Sequence, residues 1–188
     1  MKQNRSTYIV LALLILVASL YRVWDGRPWG FAPQIAMALF AGAMIKNKKL
    51  AFILPVASMF LSDALYQALY MNGLSQIPGF YQGQVVNYIL FASLTFFGFW
   101  MRRVNWMKIA AASIIAPTAY FITSNFAVWL GGGGWYHPHT FSGLMMTFSD
   151  GIPFYRGSVE ATVVFSVILF GGYSLINRLA PAQKTQLA

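Results

Sequence analysis

Six stretches of the chain are apolar over 15 to 22 residues or so, and short polar segments separate them. A helix rises 1.5 Å per residue, so about 20 apolar residues cross a hydrocarbon core of about 30 Å. The runs fall at about 7–24, 30–45, 50–71, 85–101, 107–130 and 157–177. A soluble fold has no use for so many of them, and the composition agrees. Hydrophobic residues make up 58% of the chain and charged residues 9%, where soluble domains carry about 25% charged. The expectation is an all-α integral membrane protein, with six transmembrane helices in a single domain over residues 1–188. The second run is the shortest, and Pro33 near its start suits the first turn of a helix. The first run follows Lys2 and Arg5 as a signal peptide would. It continues through Ser19, Leu20, Tyr21 and Arg22 without a small-x-small cleavage site, so it reads as a span.

The net charge of +9 would point to nucleic acid in a soluble protein, but its distribution excludes that reading. The basic residues lie almost entirely in short segments between the apolar runs and form no continuous face. With the N-terminus inside, Lys2, Arg5, Lys46, Lys48, Lys49, Arg102, Arg103, Lys108, Arg178 and Lys184 are cytoplasmic, ten of the 13 Lys and Arg. Only Arg22, Arg27 and Arg156 are left outside. This is the positive-inside bias, and it predicts that both termini are cytoplasmic. The outer connections, Asp25 to Trp29, Asn72 to Gln84 and Gly131 to Arg156, are then longer than the inner turns. Within the last of them, Phe141 to Phe148 is too short to span, which predicts an interfacial or re-entrant segment.

Polar groups inside a bilayer are expensive and mark function by default. Arg22, Asp63, Asn87, Asn125 and Glu160 all fall in the outer part of their runs. The inner halves at 9–17, 50–61, 90–99, 109–121 and 163–169 hold nothing more polar than Ser, Thr and Tyr. A channel or proton-driven carrier needs polar groups at mid-depth, whereas an outward-facing pocket needs them only near its mouth. Each residue also has a plainer reading. Arg22 and Glu160 could snorkel, Asp63 could form a buried pair, and Asn125 could be interhelical glue. Trp129, Trp135 and Tyr136 could be belt aromatics rather than pocket walls.

Other patterns carry less. Gly131 to Gly134 lacks the residues of a phosphate-binding loop and reads as a turn or gate. His137-Pro138-His139 with Asp150 is too weak a pattern to assign a metal, and the chain has no Cys. No catalytic constellation or cofactor sequence is present, so no enzyme activity and no cofactor is expected. Ala32/Ala36, Ala38/Gly42 and Ala112/Ala116 are each four apart, which suits either packing within the bundle or a docking face for a second membrane subunit. No nucleotide-binding sequence is present, so uphill transport would need a partner or an ion.

The segments PQIAMALFAG from Pro33, LAFILPVASMFLSDAL from Leu50, TSNFAVWL from Thr123 and GIPFYRG from Gly151 resemble a family of bacterial membrane proteins labelled transporters. Together with six spans, internal termini and no ATPase, the chain is similar to the substrate-binding S component of energy-coupling factor (ECF) vitamin transporters. The resemblance runs from Arg22 to Gly171. It implies a pocket near the outer surface, with Arg22, Asp63, Asn87, Asn125, Trp129, Arg156 and Glu160 as candidates. It also implies a transmembrane coupling protein and ATPase subunits as partners. Two departures stand out: Ala12 and Ala18 are six apart rather than four, and Gly30 replaces the asparagine before Phe-x-Pro.

The expectation is therefore a multi-pass protein of the bacterial cytoplasmic membrane that takes up a small water-soluble nutrient, vitamin-like or a precursor. Asp63, Arg156 and Asn125 would orient the substrate, and Trp129 and Tyr136 would wall it. Ala32, Ala36, Ala38 and Gly42 are the candidate docking residues. A stand-alone permease and a structural subunit of a membrane complex are the alternatives. Depth alone predicts that Asp63→Ala removes binding and leaves the protein folded.

Overall fold

The computed structural model describes residues 5–101, 104–131 and 137–179. Within them the chain forms α1 (Arg5–Val23), α2 (Gln34–Met44), α3 (Lys48–Met71), α4 (Gln84–Ser93), α5 (Thr95–Trp100), α6 (Trp106–Leu130) and α7 (Phe141–Leu179). No strand occurs among these residues. Leu94 between α4 and α5 keeps a right-handed helical backbone, so the two run on as one rod. Polar caps start the long helices. The Asn47 side chain accepts from the Lys49 and Leu50 amides ahead of α3, and Asn105 accepts from the Lys108 amide ahead of α6.

Three helices are long and apolar enough to cross a membrane: α3, α6 and α7 over Phe141–Leu175. Their exposed faces are apolar too, with Ile53, Phe60, Ile114, Ile122, Val167 and Ile168 on the surface. An apolar exterior fits lipid as the surrounding solvent.

Two boundaries differ from the hydropathy reading. The run at 30–45 yields only the 11 residues of α2, about 16 Å of helix and roughly half of a hydrocarbon core. Nor is Phe141 to Phe148 a separate segment. It opens the 39-residue α7, which therefore starts well before residue 157. Phe148 and Tyr155 pack on Phe121 of α6, and Ser166 bonds Ser113, so α7 lies along α6 throughout.

α2 is the hub, packed against α3, α5 and α7. It begins level with the middle of α3, because the Gln34 side chain reaches the Ala18 carbonyl and the Ser58 hydroxyl. Below that level the interior is closed by apolar side chains, among them Leu39, Leu54, Met59, Leu94 and Met101. The α2–α5 crossing is close enough that Gly42 and Gly98 face each other without side chains.

The small residues offered for docking are used up inside this hub. Ala36 and Ala38 are fully buried, and Gly42 is covered by α5. Ala32 lies in the loop before α2. At Ala36, Ala38 and Gly42 the small side chains serve the chain's own packing, while Ala32 is half-buried and lines the cavity described below.

Thr95 is fully buried at the start of α5, and its hydroxyl has no hydrogen-bond partner among the described residues. An unsatisfied buried hydroxyl costs about 1–3 kcal/mol. Thr95→Val keeps the shape and removes that cost. Its melting temperature in detergent is expected to match or exceed that of the wild type, and a clear drop would show that the hydroxyl is satisfied.

Candidate functional site

Because α2 begins only halfway along the bundle, the bundle is hollow at the end where α1, α3 and α6 finish. A cavity of about 1130 Å³ fills this space. Its floor is the start of α2 with Gln34 and Ile35, together with Met59 and Pro117. Its walls are aromatic: Trp24 and Trp29 from the first connection, Tyr66 from α3, Tyr81 from the second connection, Phe91 and Tyr120 from α4 and α6, and Phe154 and Tyr155 from α7.

The connection before α2 folds into the bundle and fixes one wall. Trp29 stacks on Phe154 with centroids 5.5 Å apart and planes 10° apart, and Ser158 donates to the Gly30 carbonyl at 3.2 Å. Gly30 has φ +70°, and a Cβ there would lie 2.0 Å from the Phe154 carbonyl oxygen. Only glycine combines that backbone with that approach.

The opposite wall is held by hydrogen bonds. Tyr120 donates to the Asn87 carboxamide oxygen, and Asn87 donates to the Tyr81 hydroxyl at 2.8 Å. Desolvation raises the Tyr81 pKa from 10, and the bond from Asn87 offsets part of the rise. The phenol therefore stays neutral near pH 7 and keeps a proton to donate. On α6, the Asn125 amide donates to the Phe121 carbonyl at 2.8 Å. Its side chain lies so close to Gly151 that a Cβ there would be 2.6 Å from the carboxamide oxygen.

Behind the cavity is a buried ion pair. Asp63 is 2% exposed and accepts from Arg22, from Gln84 at 2.7 Å and from Tyr88 at 2.8 Å. Arg22 also donates to Ser62, and its guanidinium lies 5.8 Å from the centre of the Tyr66 ring. The carboxylate ties α1, α3 and α4 together, and of the pair Arg22 is the residue that lines the cavity.

At residues 2–183 the chain matches the profile described as Family of unknown function (DUF6580). The chain belongs to this family. No curated protein and no solved structure matches it.

In this DUF6580 member the sequence candidates divide by direction. Arg22, Asn87 and Asn125 line the cavity, and Asp63 positions Arg22 from behind. Trp129 points elsewhere, donating to the Pro138 carbonyl at 3.0 Å and meeting the His139 ring edge-on. Arg156 and Glu160 pair with each other at 2.9 Å on the outer face of α7, with side chains 82% and 51% exposed. Tyr136 and Trp135 lie outside the described residues, as do Gly132 to Gly134. His137 bonds Asp150 at 2.7 Å, and no cluster of three metal-ligating side chains forms among the described residues.

Sequence reasoning missed Gln34, Arg27 and the tyrosines. Gln34 is 1% exposed and its carboxamide oxygen is unpartnered among the described residues. The amide orientation follows from the Ala18 carbonyl, which can only accept and so must face the nitrogen. The available signal was a carboxamide directly after the proline that opens a short apolar run. Arg27 read as a topology charge, and nothing in its sequence context sets it apart.

Proposed function

We propose that this protein captures a small water-soluble nutrient in the aromatic-walled cavity and delivers it for uptake across the bacterial cytoplasmic membrane. The observation that carries the reading is a cavity open at one end of the bundle only. Its floor at Gln34 and Met59 is backed by a packed interior whose buried polar groups among the described residues are hydroxyls, the Ser113–Ser166 pair and Thr95, with no charged side chain. Such a shape suits capture and does not suit a channel. In this reading the chain has six spans with both termini inside, counting the half-length α2 and the α4–α5 rod as crossings. The cavity then opens outward, on the side with few basic residues. The similarity to ECF S components supports the same arrangement, with a coupling protein and ATPase subunits supplying the energy.

The test is a thermal-shift screen of purified protein in detergent against vitamins, nucleobases and cobalamin-type precursors. A ligand present at 100 times its Kd stabilises the folded state by about 2.7 kcal/mol. A reproducible rise from one compound class is the expected result. Silence across the screen favours the structural-subunit alternative, and transport by the chain alone in liposomes favours the permease.

A further inference from the structure

We infer that the ligand of this cavity is a flat ring compound carrying a carboxylate or similar oxyanion, held by Arg27. The inference rests on the capture reading and names the ligand class of that site.

The argument begins with what neutralises each charge. Three lining residues carry formal charge: Arg22, Asp25 and Arg27. The Arg22 charge is taken up by buried Asp63. Asp25 is exposed and, among the described residues, forms no ion pair with Arg27. Arg27 is half-buried and bonds only neutral acceptors. Its Nε donates to the Arg22 carbonyl, Nη1 weakly to the Pro28 carbonyl at 3.5 Å, and Nη2 to the Tyr66 hydroxyl at 3.3 Å.

A guanidinium has five N–H donors, so one remains on each terminal nitrogen. Two donors on one planar fork suit the two oxygens of a carboxylate. The fork is already held in place by its other three bonds, so little side-chain entropy is lost on binding. The start of α2 adds positive potential to the same cavity, because the amides of its first turn have no partners in the helix and Gln34 and Ile35 both line the floor. The walls set the shape of the rest of the ligand. Trp24, Trp29, Tyr66 and Tyr120 all line the cavity, and an aromatic lining favours a planar ring over a branched or strongly hydrated ligand.

The test uses full-length protein in nanodiscs of neutral phosphatidylcholine. Melting temperatures are measured with matched acids and amides: nicotinate and nicotinamide, benzoate and benzamide, para-aminobenzoate and para-aminobenzamide. At least one acid is expected to raise the melting temperature while its amide binds roughly ten-fold to a hundred-fold more weakly, the worth of a hydrogen-bonded charge. Arg27→Gln should remove that preference, and Arg27→Lys should keep part of it. If Arg27→Gln does not fold, the acid–amide contrast in the wild type decides alone.

Amides that bind as well as acids would overturn the anion and leave the capture reading standing. So would silent acids alongside a neutral nutrient that binds. Failure of every acid, amide and nutrient would remove both. A rise produced by adding phosphatidylglycerol, with no further effect of the acids, would overturn the inference in favour of a lipid headgroup.

Discussion

Asp63→Ala is expected to lower the melting temperature by about 6–20 °C. Removing one partner of a buried ion pair costs about 3–5 kcal/mol, and each kcal/mol shifts the midpoint by about 2–4 °C in a chain of this size. The cost falls on three helices at once. Without the carboxylate, Arg22 on α1 loses its counter-charge, and Gln84 and Tyr88 on α4 lose the acceptor that binds them to α3. Depth alone suggested the opposite result, a folded protein that no longer binds. The geometry replaces that expectation, because Asp63 acts on the cavity through Arg22 and does not line it. Two further variants separate the roles. Arg22→Met combined with Asp63→Leu removes both charges and should recover much of the lost stability, since apolar pairs of similar volume replace buried ion pairs at little cost. Asp63→Asn should fall between. Melting curves in detergent settle the matter: wild-type behaviour of Asp63→Ala would show that the pair holds nothing together.

The positions of the long helices were legible because hydropathy tracks the solvent that a helix faces. The runs at 50–71 and 107–130 end within two residues of α3 and α6. Hydropathy failed where backbone geometry and side-chain polarity part company. Phe31 is apolar, yet it belongs to a connection whose path is set by Gly30 and its approach to Phe154, so the second run looked longer than its helix. Ser149, Asp150, Pro153 and Arg156 interrupt the apolar pattern before residue 157, yet the helix runs through them because an accessible polar side chain costs it little. Pro153 removes one backbone hydrogen bond and crowds the Ser149 carbonyl, a cost of about 3 kcal/mol that the packing of α7 along α6 has to offset.

The site was half legible for a related reason. Height along a run can be counted from sequence, and it put Arg22, Asn87 and Asn125 at the cavity's level. Rotational phase about the helix axis could not be counted. Arg156 sits one position beyond Tyr155, which lines the cavity, yet a step of 100° turns its side chain to the outside. Gln34 escaped because its depth depends on α2 being short, and Arg27 because Tyr66, 39 residues away, meets it only in the fold.

Gly98→Leu is expected to abolish folding, and the reason lies in atoms that cannot move aside. A Cβ on Gly98 would stand 2.4 Å from the Leu39 carbonyl oxygen and 2.7 Å from the Gly42 Cα. One on Gly42 would stand 2.3 Å from the Thr95 carbonyl oxygen and 2.8 Å from the Gly98 Cα. All four contacts are with backbone, so relief requires α2 and α5 to separate. Because α2 is also packed on α3 and α7, moving it disturbs every layer of the bundle and the cavity floor that it carries. Gly98→Ala, the smallest version of the change, should cost about 1–3 kcal/mol as overpacking, while leucine adds three further carbons to the same gap. Gly172→Ala on α7 is the control, since nothing lies within 4 Å of its Cβ position and alanine favours the helix by up to about 1 kcal/mol. Size-exclusion profiles and melting curves of the three variants should then rank Gly172→Ala at or above the wild type, Gly98→Ala below it, and Gly98→Leu without a folded peak. A folded Gly98→Leu protein melting like the wild type would mean that α2 and α5 do not cross this closely, and the half-length α2 would lose the contact that holds it at the base of the cavity.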